Sequence, residues 1–454
     1  MQQNEDTIVA QATPRGRGGV GIVRVSGPNT VAIAEQILGK VPKARQAEYL
    51  SFLGKNGDLL DQGIALFFKG PNSFTGEDIL ELQGHGGPVI IDGLIEEVIK
   101  AGARLAEPGE FSLRAFLNNK IDLTQAEAIV DLINASSKEA AKGALRTLQG
   151  TFSKNIEEIV QDLIKLRMYV EAAIDFPEEE IDFLSDGLVD STLQNLILKT
   201  DALTTKTHQG TLLSDGIKVV IIGRPNAGKS SLLNALSGYE AAIVADIPGT
   251  TRDVLREQIS LDGLLIQLVD TAGLRTKADV IEKEGIKRAL KEANFADHII
   301  VVVDGTTTTE TNPKKLFPEW IDQIPKEIGI TVLFNKIDSL NIPPFIEKGE
   351  NHTVVGVSAK TGAGLLEFCM HLKKIVGFSE NVEGNFVARR RHLEALVQAR
   401  KRLQEGMIQL RQFKAGELLA EELRQAQLAL DQITGKFTTD DLLGKIFSEF
   451  CIGK

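Results

Sequence analysis

Residues 223–231 read GRPNAGKSS, a run of small residues that closes on a lysine and two hydroxyls. Glycines in such a run let successive backbone N–H groups turn inward around an anion, so GxxxxGKS spacing describes a phosphate cradle made mostly of backbone. Within it Lys229 places a point charge on the outer phosphate oxygens and Ser230 offers a hydroxyl to Mg²⁺, while Asn226, Ala227, Gly228 and Ser231 complete the wrap. Asp270-Thr271-Ala272-Gly273, Asn335-Lys336-Ile337-Asp338 and Ser358-Ala359-Lys360 follow in that order. A carboxylate at Asp338 accepts both hydrogens of guanine's N1–H and N2–H₂ edge, where adenine presents an acceptor. A buried acceptor left unpaired costs roughly 1–3 kcal/mol, so this segment selects by penalty as well as by attraction. The ordered set points to a guanine-nucleotide switch that binds and hydrolyses GTP.

The elements needed to hold these residues are legible beside them. IKVVIIG at 217–223 is apolar and β-branched, and KSSLLNALSG after it has helical spacing, which is the strand, loop and helix order a phosphate loop requires. The runs LLIQLVD, IIVVVD, ITVLFNK and TVVGVSA read as further strands, with the later motifs at strand ends, so a chance match in a nucleotide-free α/β domain is the weaker reading. Residues 246–253, DIPGTTRD, supply Thr251 as a second hydroxyl for Mg²⁺ and a backbone at Thr250 able to fold over the phosphates. Where many switch GTPases carry a water-orienting Gln, this chain has Leu274, which cannot polarise water. Glu282 in VIEKEGIKRAL is either the substitute or one charge on a solvated helix. Asn226 offers a neutral oxygen suited to a monovalent cation that could replace an arginine finger, and Arg252 and Arg275 are either assistants or surface ion-pair partners.

At 454 residues the chain exceeds one ordinary core, and two to four domains are expected. With 43% hydrophobic and 25% charged residues it is globular throughout. Ile299–Val303, the longest purely apolar run of the nucleotide-binding segment, is far short of the roughly 20 residues a membrane helix needs. The opening MQQNED has neither a basic nor an apolar leader region, and only Cys369 and Cys451 occur, so a reducing cytoplasm and no disulfide framework are expected. A net charge of −11 argues against wrapping nucleic acid over the whole surface. Arg389, Arg390, Arg391 and the Arg400-Lys401-Arg402 run read as a solvated helix face or as a local RNA contact.

Residues 1–118 have the turns and short strand-like runs of an α/β unit; 119–215 turn helical; 216–377 hold the nucleotide motifs; 378–454 are helical again. The expected fold is thus multidomain, α/β plus all-α: an N-terminal α/β domain and a helical bundle into which a Ras-like P-loop domain with a mixed, mostly parallel sheet is inserted. Insertion is favoured because neither helical half ends in a flexible linker and the C-terminal amphipathic helices need a partner.

GRPNAGKSS, DIPGTTRD and DTAGL, taken with GRGGVGIVRVSG, PNSFTGEDILELQGHGG and the closing CIGK, resemble one family over essentially the whole chain: the bacterial tRNA uridine-5-carboxymethylaminomethyl modification GTPases, called MnmE or TrmE. The GTPase motifs are shared with ribosome-assembly GTPases such as Era; the N-terminal unit and the CxGK ending are not. The resemblance implies a homodimer joined through its N-terminal domains and a flavoprotein partner, MnmG, in a heterotetrameric or larger complex that modifies carbon 5 of the tRNA wobble uridine. A tetrahydrofolate derivative (5,10-methylene or 5-formyl) would be held by Arg24, Glu81, Lys120 and Lys454. FAD would enter only through the partner, and K⁺ would bring two GTPase domains together. It further implies that Asn226 gives its side chain to K⁺, with Ala245, Ile247 and Thr250 completing that site, and that Glu282 positions the attacking water. Ala245 departs from a threonine in the family, which matters only if a hydroxyl contributes.

By its own surroundings Cys451, beside Phe447, Phe450 and Ile452, reads as buried packing; the resemblance makes it necessary for modification without assigning its chemistry. Cys369, in LLEFCMHL, reads as core. The competing reading is a GTP-dependent ribosome-assembly switch, which should carry a basic RNA-binding module where this chain has an acidic, glycine-rich N-terminal unit.

Overall fold

The structure is a computed structural model that describes residues 6–135, 137–175, 187–238, 242–244, 256–261, 264–270, 296–318, 321–325, 328–378, 386–436, 440–448, 450 and 453. It divides into two compact units, Met1–Val130 with Leu428–Lys454, and Asp131–Gln427.

In the first unit the strands are β1 (Thr7–Gln11), β2 (Gly18–Ser26), β3 (Glu48–Leu53), β4 (Leu59–Phe68), β5 (Ile79–Gly86) and β6 (Ala103–Leu105), with helices α1 (Thr30–Leu38), α2 (Pro88–Lys100), α3 (Glu110–Leu117) and α4 (Leu123–Ile133), the last running past the unit's boundary. They form a six-stranded sheet in the order β3-β4-β5-β2-β1-β6, antiparallel except where β6 pairs with β1. Period-two alternation sends Val23, Val25, Leu80 and Leu82 to one face, where they meet Ile33 and Ile37 of α1 and Ile91, Leu94 and Val98 of α2. The sequence reading assigns 378–454 to the helical domain as one piece. In the structure Leu428–Lys454 groups with the first unit, because Leu443, Ile446, Phe447 and Phe450 bury against Leu123 and Ala126. Gly109 permits this approach: its φ is +68°, and a Cβ there would lie 2.5 Å from the Phe447 carbonyl oxygen.

The second unit begins with α5 (Lys138–Leu148), α6 (Thr151–Asp175) and α7 (Leu188–Ser214). Then come β7 (Ile217–Gly223), α8 (Lys229–Ser237), β8 (Ala242–Val244), β9 (Arg256–Leu261), β10 (Leu264–Asp270), β11 (His298–Asp304), α9 (Pro313–Leu316), β12 (Gly329–Asn335), α10 (Ile337–Leu340), β13 (Phe345–Lys348), β14 (Thr353–Gly356) and α11 (Leu365–Ile375). Two long helices follow, α12 (Arg390–Ile408) and α13 (Gly416–Thr434), joined through a π turn at Gln409–Phe413. The eight-stranded sheet runs β13-β14-β12-β11-β7-β10-β9-β8, parallel from β14 to β10 and antiparallel at both edges, which is the mixed, mostly parallel sheet expected. Its central strands are apolar on both faces and feed two cores, one with Val219, Ile221, Leu232 and Phe368, the other with Val220, Ile299, Val301 and Phe334. Cys369 lies buried in the first of these, as expected.

The helices before and after this sheet pack on each other. Thr147 Oγ1 donates to the Val387 carbonyl (2.9 Å) and accepts from the Val387 N–H (3.0 Å), Phe152 stacks on Phe386 at 4.5 Å, and Arg411 forks onto Asp190 at 2.6 and 3.0 Å. Gly210 of α7 lies so close to the returning chain that a Cβ would meet the Phe386 carbonyl oxygen at 2.5 Å. The nucleotide-motif sheet is therefore inserted between helices that complete one another.

Candidate nucleotide-binding site

The phosphate loop joins the C-terminal end of β7 to the first turn of α8. Two positive φ values shape it, +63° at Asn226 and +98° at Gly228, and turn the backbone into a concave nest at a helix N-terminus. Gly228 is required twice over, since a Cβ there would also lie 2.2 Å from Asn335 Nδ2. Lys229 is buried, with Nζ donating to the carbonyls of Gly223 (2.8 Å) and Arg224 (3.0 Å), so its ammonium is held across the mouth of the loop. Asn226, Ser230 and Ser231 are exposed along the rim, while Ala227 packs inward.

Asn335 is the centre of the arrangement. At the end of β12 and only 2% exposed, it donates from Nδ2 to the Ala227 carbonyl (2.9 Å) and accepts at Oδ1 from the Ala359 N–H (3.0 Å). One side chain thus fixes the phosphate loop and the Ser358-Ala359-Lys360 loop to the same strand end. Asp338 accepts from Ser358 Oγ at 2.7 Å, and this bond, together with the nearby Lys360 charge, holds its carboxyl below the usual carboxylate range. It is ionised at neutral pH, as pairing with a guanine edge requires. Lys336 has a φ of +68° and reaches back to Asp304 Oδ2 at 2.6 Å. Burial pushes Asp304 up, but Lys336 and Thr306 outweigh it and its carboxyl lies below the ordinary value.

The structure therefore brings together Asn226, Ala227, Gly228, Lys229, Ser230 and Ser231 with Asn335, Lys336, Asp338, Ser358, Ala359 and Lys360. Asp270 ends β10, whose backbone pairs with β7 next to the loop. Thr271, Ala272, Gly273, Ala245, Ile247, Thr250, Thr251, Glu282, Cys451 and Lys454 lie outside the described residues. Sequence reasoning missed the bridging role of Asn335 and the pairing of Asp304 with Lys336. The only available signal was that Asp304 ends the apolar run IIVVVD in the way Asn335 ends ITVLFN.

The other expected site lies in the first unit. Arg24 of β2 and Glu81 of β5 are directly opposite in register, with Nη2 to Oε1 at 2.8 Å and Nε donating to the same oxygen at 2.9 Å. The guanidinium is 5.9 Å from the Phe74 ring centre and 5.8 Å from that of Phe111. Lys120 Nζ donates to the Pro71 carbonyl at 2.8 Å, on the loop that carries Phe74. A φ of +96° at Gly453, where a Cβ would lie 2.1 Å from the Gln11 carbonyl oxygen, places the residue before Lys454 against the end of β1. Cation, carboxylate and aromatic faces together suit a ligand with a hydrogen-bonding ring and an acidic tail.

Several basic residues of α12 and its N-cap, Arg389, are engaged within the unit. Arg389 pairs with Asp131 (2.9 Å), Arg390 with Asp297 (3.1 Å), Arg400 with Asp201, and Arg402 with Glu405 and Glu422 (3.2 and 3.3 Å). This favours the solvated-face reading over an RNA contact.

Among the described residues no helix is long and apolar enough to cross a membrane. Two family models match the chain, the MnmE helical domain over residues 123–451 and the GTP-binding protein TrmE N-terminus over residues 7–120. Proteins described as tRNA modification GTPase MnmE from Vibrio vulnificus and Proteus mirabilis are 60% and 58% identical to it over 450 residues, covering 99% of each chain. Among solved structures, the G domain of the T. maritima FeoB iron transporter is 28% identical over 36% of this chain and 96% of that one. Its TM-score is 0.25. With one model covering most of the chain and relatives aligned nearly end to end, the chain belongs to the MnmE (TrmE) family of tRNA modification GTPases.

Proposed function

We propose that this chain hydrolyses GTP to drive the addition of a carboxymethylaminomethyl or aminomethyl group to carbon 5 of the tRNA wobble uridine, as a cytoplasmic homodimer working with the flavoprotein MnmG. The observation that carries the GTPase reading is Asn335, which ties the phosphate loop to the loop facing the base while Asp338 stands ionised beside it. In this reading the loop amides and Lys229 hold the phosphates, Ser230 and Thr251 hold Mg²⁺, Asp270-Thr271-Ala272-Gly273 faces the terminal phosphate, and Glu282 orients the water. Asn226, Ala245, Ile247 and Thr250 hold K⁺, whose charge offsets that developing on the leaving oxygen.

The tRNA chemistry rests on family membership and on the Arg24–Glu81 pair with Lys120, a donor set that fits a tetrahydrofolate derivative whose bound one-carbon unit supplies the added carbon. Lys454 would close that site, and Cys451 would act near it. The domain reading that accompanies this function is an N-terminal folate-binding and dimerisation unit over residues 1–118 and a helical domain, 119–215 and 378–454, around the GTPase at 216–377. No observation favours the alternative of an RNA-binding switch without modification chemistry.

Asp338→Asn tests the base reading. Xanthine presents a carbonyl where guanine presents N2–H₂, so the amide should lose GTP and gain xanthosine triphosphate in a turnover assay. Equal loss of both nucleotides would remove Asp338 from base recognition.

A further inference from the structure

The loop 71–77, PNSFTGE, carries Phe74 and joins β4 to β5. It is anchored by an ionic cluster, buried at Arg114 and Glu110 and open to solvent at Asp6 and Arg104, that the site described above does not use. Arg114 of α3 has only 1% of its side chain exposed, yet it faces three carboxylates. Nη2 donates to Glu110 Oε1 and Asp6 Oδ1, both at 2.8 Å, while Nη1 donates to the Asp6 carbonyl at 2.9 Å and to Glu77 at 3.2 and 3.3 Å. Arg104 adds a second cation, forked onto Glu110 at 2.6 and 2.8 Å. From Glu77 the chain of bonds continues upward: Ser26 Oγ donates to Glu77 Oε2 (2.7 Å) and shares a 2.7 Å bond with the fully buried Thr75 Oγ1, which also accepts from the Glu77 N–H (3.2 Å).

Buried ion clusters contribute little net stability, and apolar residues of the same volume often serve as well or better. What this one provides is geometry. Ser26 lies on β2, two residues from Arg24, and Phe111, whose ring Arg24 also approaches, lies between Glu110 and Arg114 in sequence. Asn118, just past α3, donates to the Thr75 carbonyl at 2.7 Å, and Lys120 reaches the same loop at Pro71. A Cβ at Gly76 would sit 3.1 Å from Asn118 Cβ and 3.3 Å from Lys120 Cδ, so the lysine stem already lies against the loop. Loop 71–77 thus touches both Arg24, through Phe74, and Lys120, through Pro71, and Glu77 is its charged root.

We propose that Glu77 and Arg114 are positioning residues which, through Thr75 and Ser26, set loop 71–77 and so fix the Arg24 guanidinium and the Lys120 ammonium at the spacing an acidic, ring-bearing ligand needs. The inference rests on the reading of Arg24, Glu81 and Lys120 as a folate-derivative site. Removing Arg114 leaves the buried Glu110 and the half-buried Glu77 and Asp6 without their shared cation and risks the fold, so the informative variants are Glu77→Gln and Thr75→Val, which keep volume and remove the charge or the hydroxyl. Glu421→Ala, on the exposed pair with Arg424, is the control.

Two measurements on the full-length chain separate the possibilities: titration with 5-formyltetrahydrofolate, and hydrogen exchange of residues 71–77. Both variants should weaken binding about tenfold or more and speed exchange within the loop by a similar factor, with β2 and β5 still protected and the thermal midpoint of the control retained. Unchanged exchange in the loop would overturn the positioning role. So would faster exchange with wild-type affinity, in a protein where Arg24→Ala abolishes binding. If the unaltered chain does not bind the probe, the folate reading fails, and unaltered or accelerated loop exchange alone then refutes or supports the anchoring by Glu77.

Discussion

Asn335→Ala is the sharpest test of how the nucleotide site is held. Truncation removes a donor 2.9 Å from the Ala227 carbonyl and an acceptor 3.0 Å from the Ala359 N–H, at a position only 2% exposed. Each bond has a net worth of roughly 0.5–1.5 kcal/mol, so together they account for about 1–3 kcal/mol of pre-organisation. The phosphate loop and the base-side loop must both be in place for nucleotide to bind, so the loss should appear in affinity as a weakening of roughly five- to 150-fold. Asn335→Asp sharpens the expectation. It retains an acceptor for Ala359 but sets a carboxylate oxygen against the Ala227 carbonyl, replacing attraction with repulsion, and should weaken binding more than Ala does. Titration with a fluorescent guanine diphosphate, alongside circular dichroism to verify the fold, reads both. Wild-type affinity in Asn335→Ala, or tighter binding by Asn335→Asp than by Asn335→Ala, would refute the argument that this side chain couples the two loops.

Other expectations follow from the same geometry. Gly228→Ala should abolish nucleotide binding because it combines a φ of +98° with a Cβ 2.2 Å from Asn335 Nδ2, whereas Gly238→Ala, at φ −90°, should bind normally; titration of both variants checks this. His298 is buried in a chain with Thr331 Oγ1 (2.8 Å) and through it His371 (2.9 Å), and burial, aided by His371, pushes its pKa down to about 4. Its folded value lies below the unfolded one, so its contribution is whole above about pH 6.5 and is lost as pH falls towards 4, an effect on the order of 3 kcal/mol. Denaturant unfolding across that window should show the decline, and a His298→Asn variant should flatten it. In the hydrolysis reading, Na⁺ in place of K⁺ should slow GTP turnover severely, and Glu282→Ala should keep GTP affinity while losing turnover; equal rates in both salts would remove the cation argument. Cys451→Ser with normal GTP turnover but unmodified wobble uridines, by mass analysis of bulk tRNA nucleosides, is the outcome expected if that thiol serves modification.

The nucleotide motifs were legible because each is a local device. A GxxxxGKS loop, and the strands before NKID and SAK, depend on backbone conformation and residue type within about ten positions, which the linear order preserves. The same holds for the strand LLIQLVD and for Cys369 in its apolar helix. Insertion of the GTPase segment was inferable from amphipathic helices lacking partners, although only the structure names the contacts, Thr147 with Val387 and Phe152 with Phe386.

Tertiary structure alone decided what depends on residues remote in the chain. That Asn335 serves Ala227 as well as Ala359 requires the parallel strands β12 and β7 to present their C-terminal ends on the same side of the sheet. The packing of Phe447 and Phe450 on Leu123 and Ala126, by which Leu428–Lys454 groups with the first unit, came only from the structure, because an amphipathic helix specifies that it needs an apolar partner without specifying which one. Nothing local to EFSLRAFL marks Arg114 for burial. Only folding places Asp6, Glu77 and Glu110 around it, since side-chain charge is a property of a residue while its burial and its partners are properties of the assembled fold.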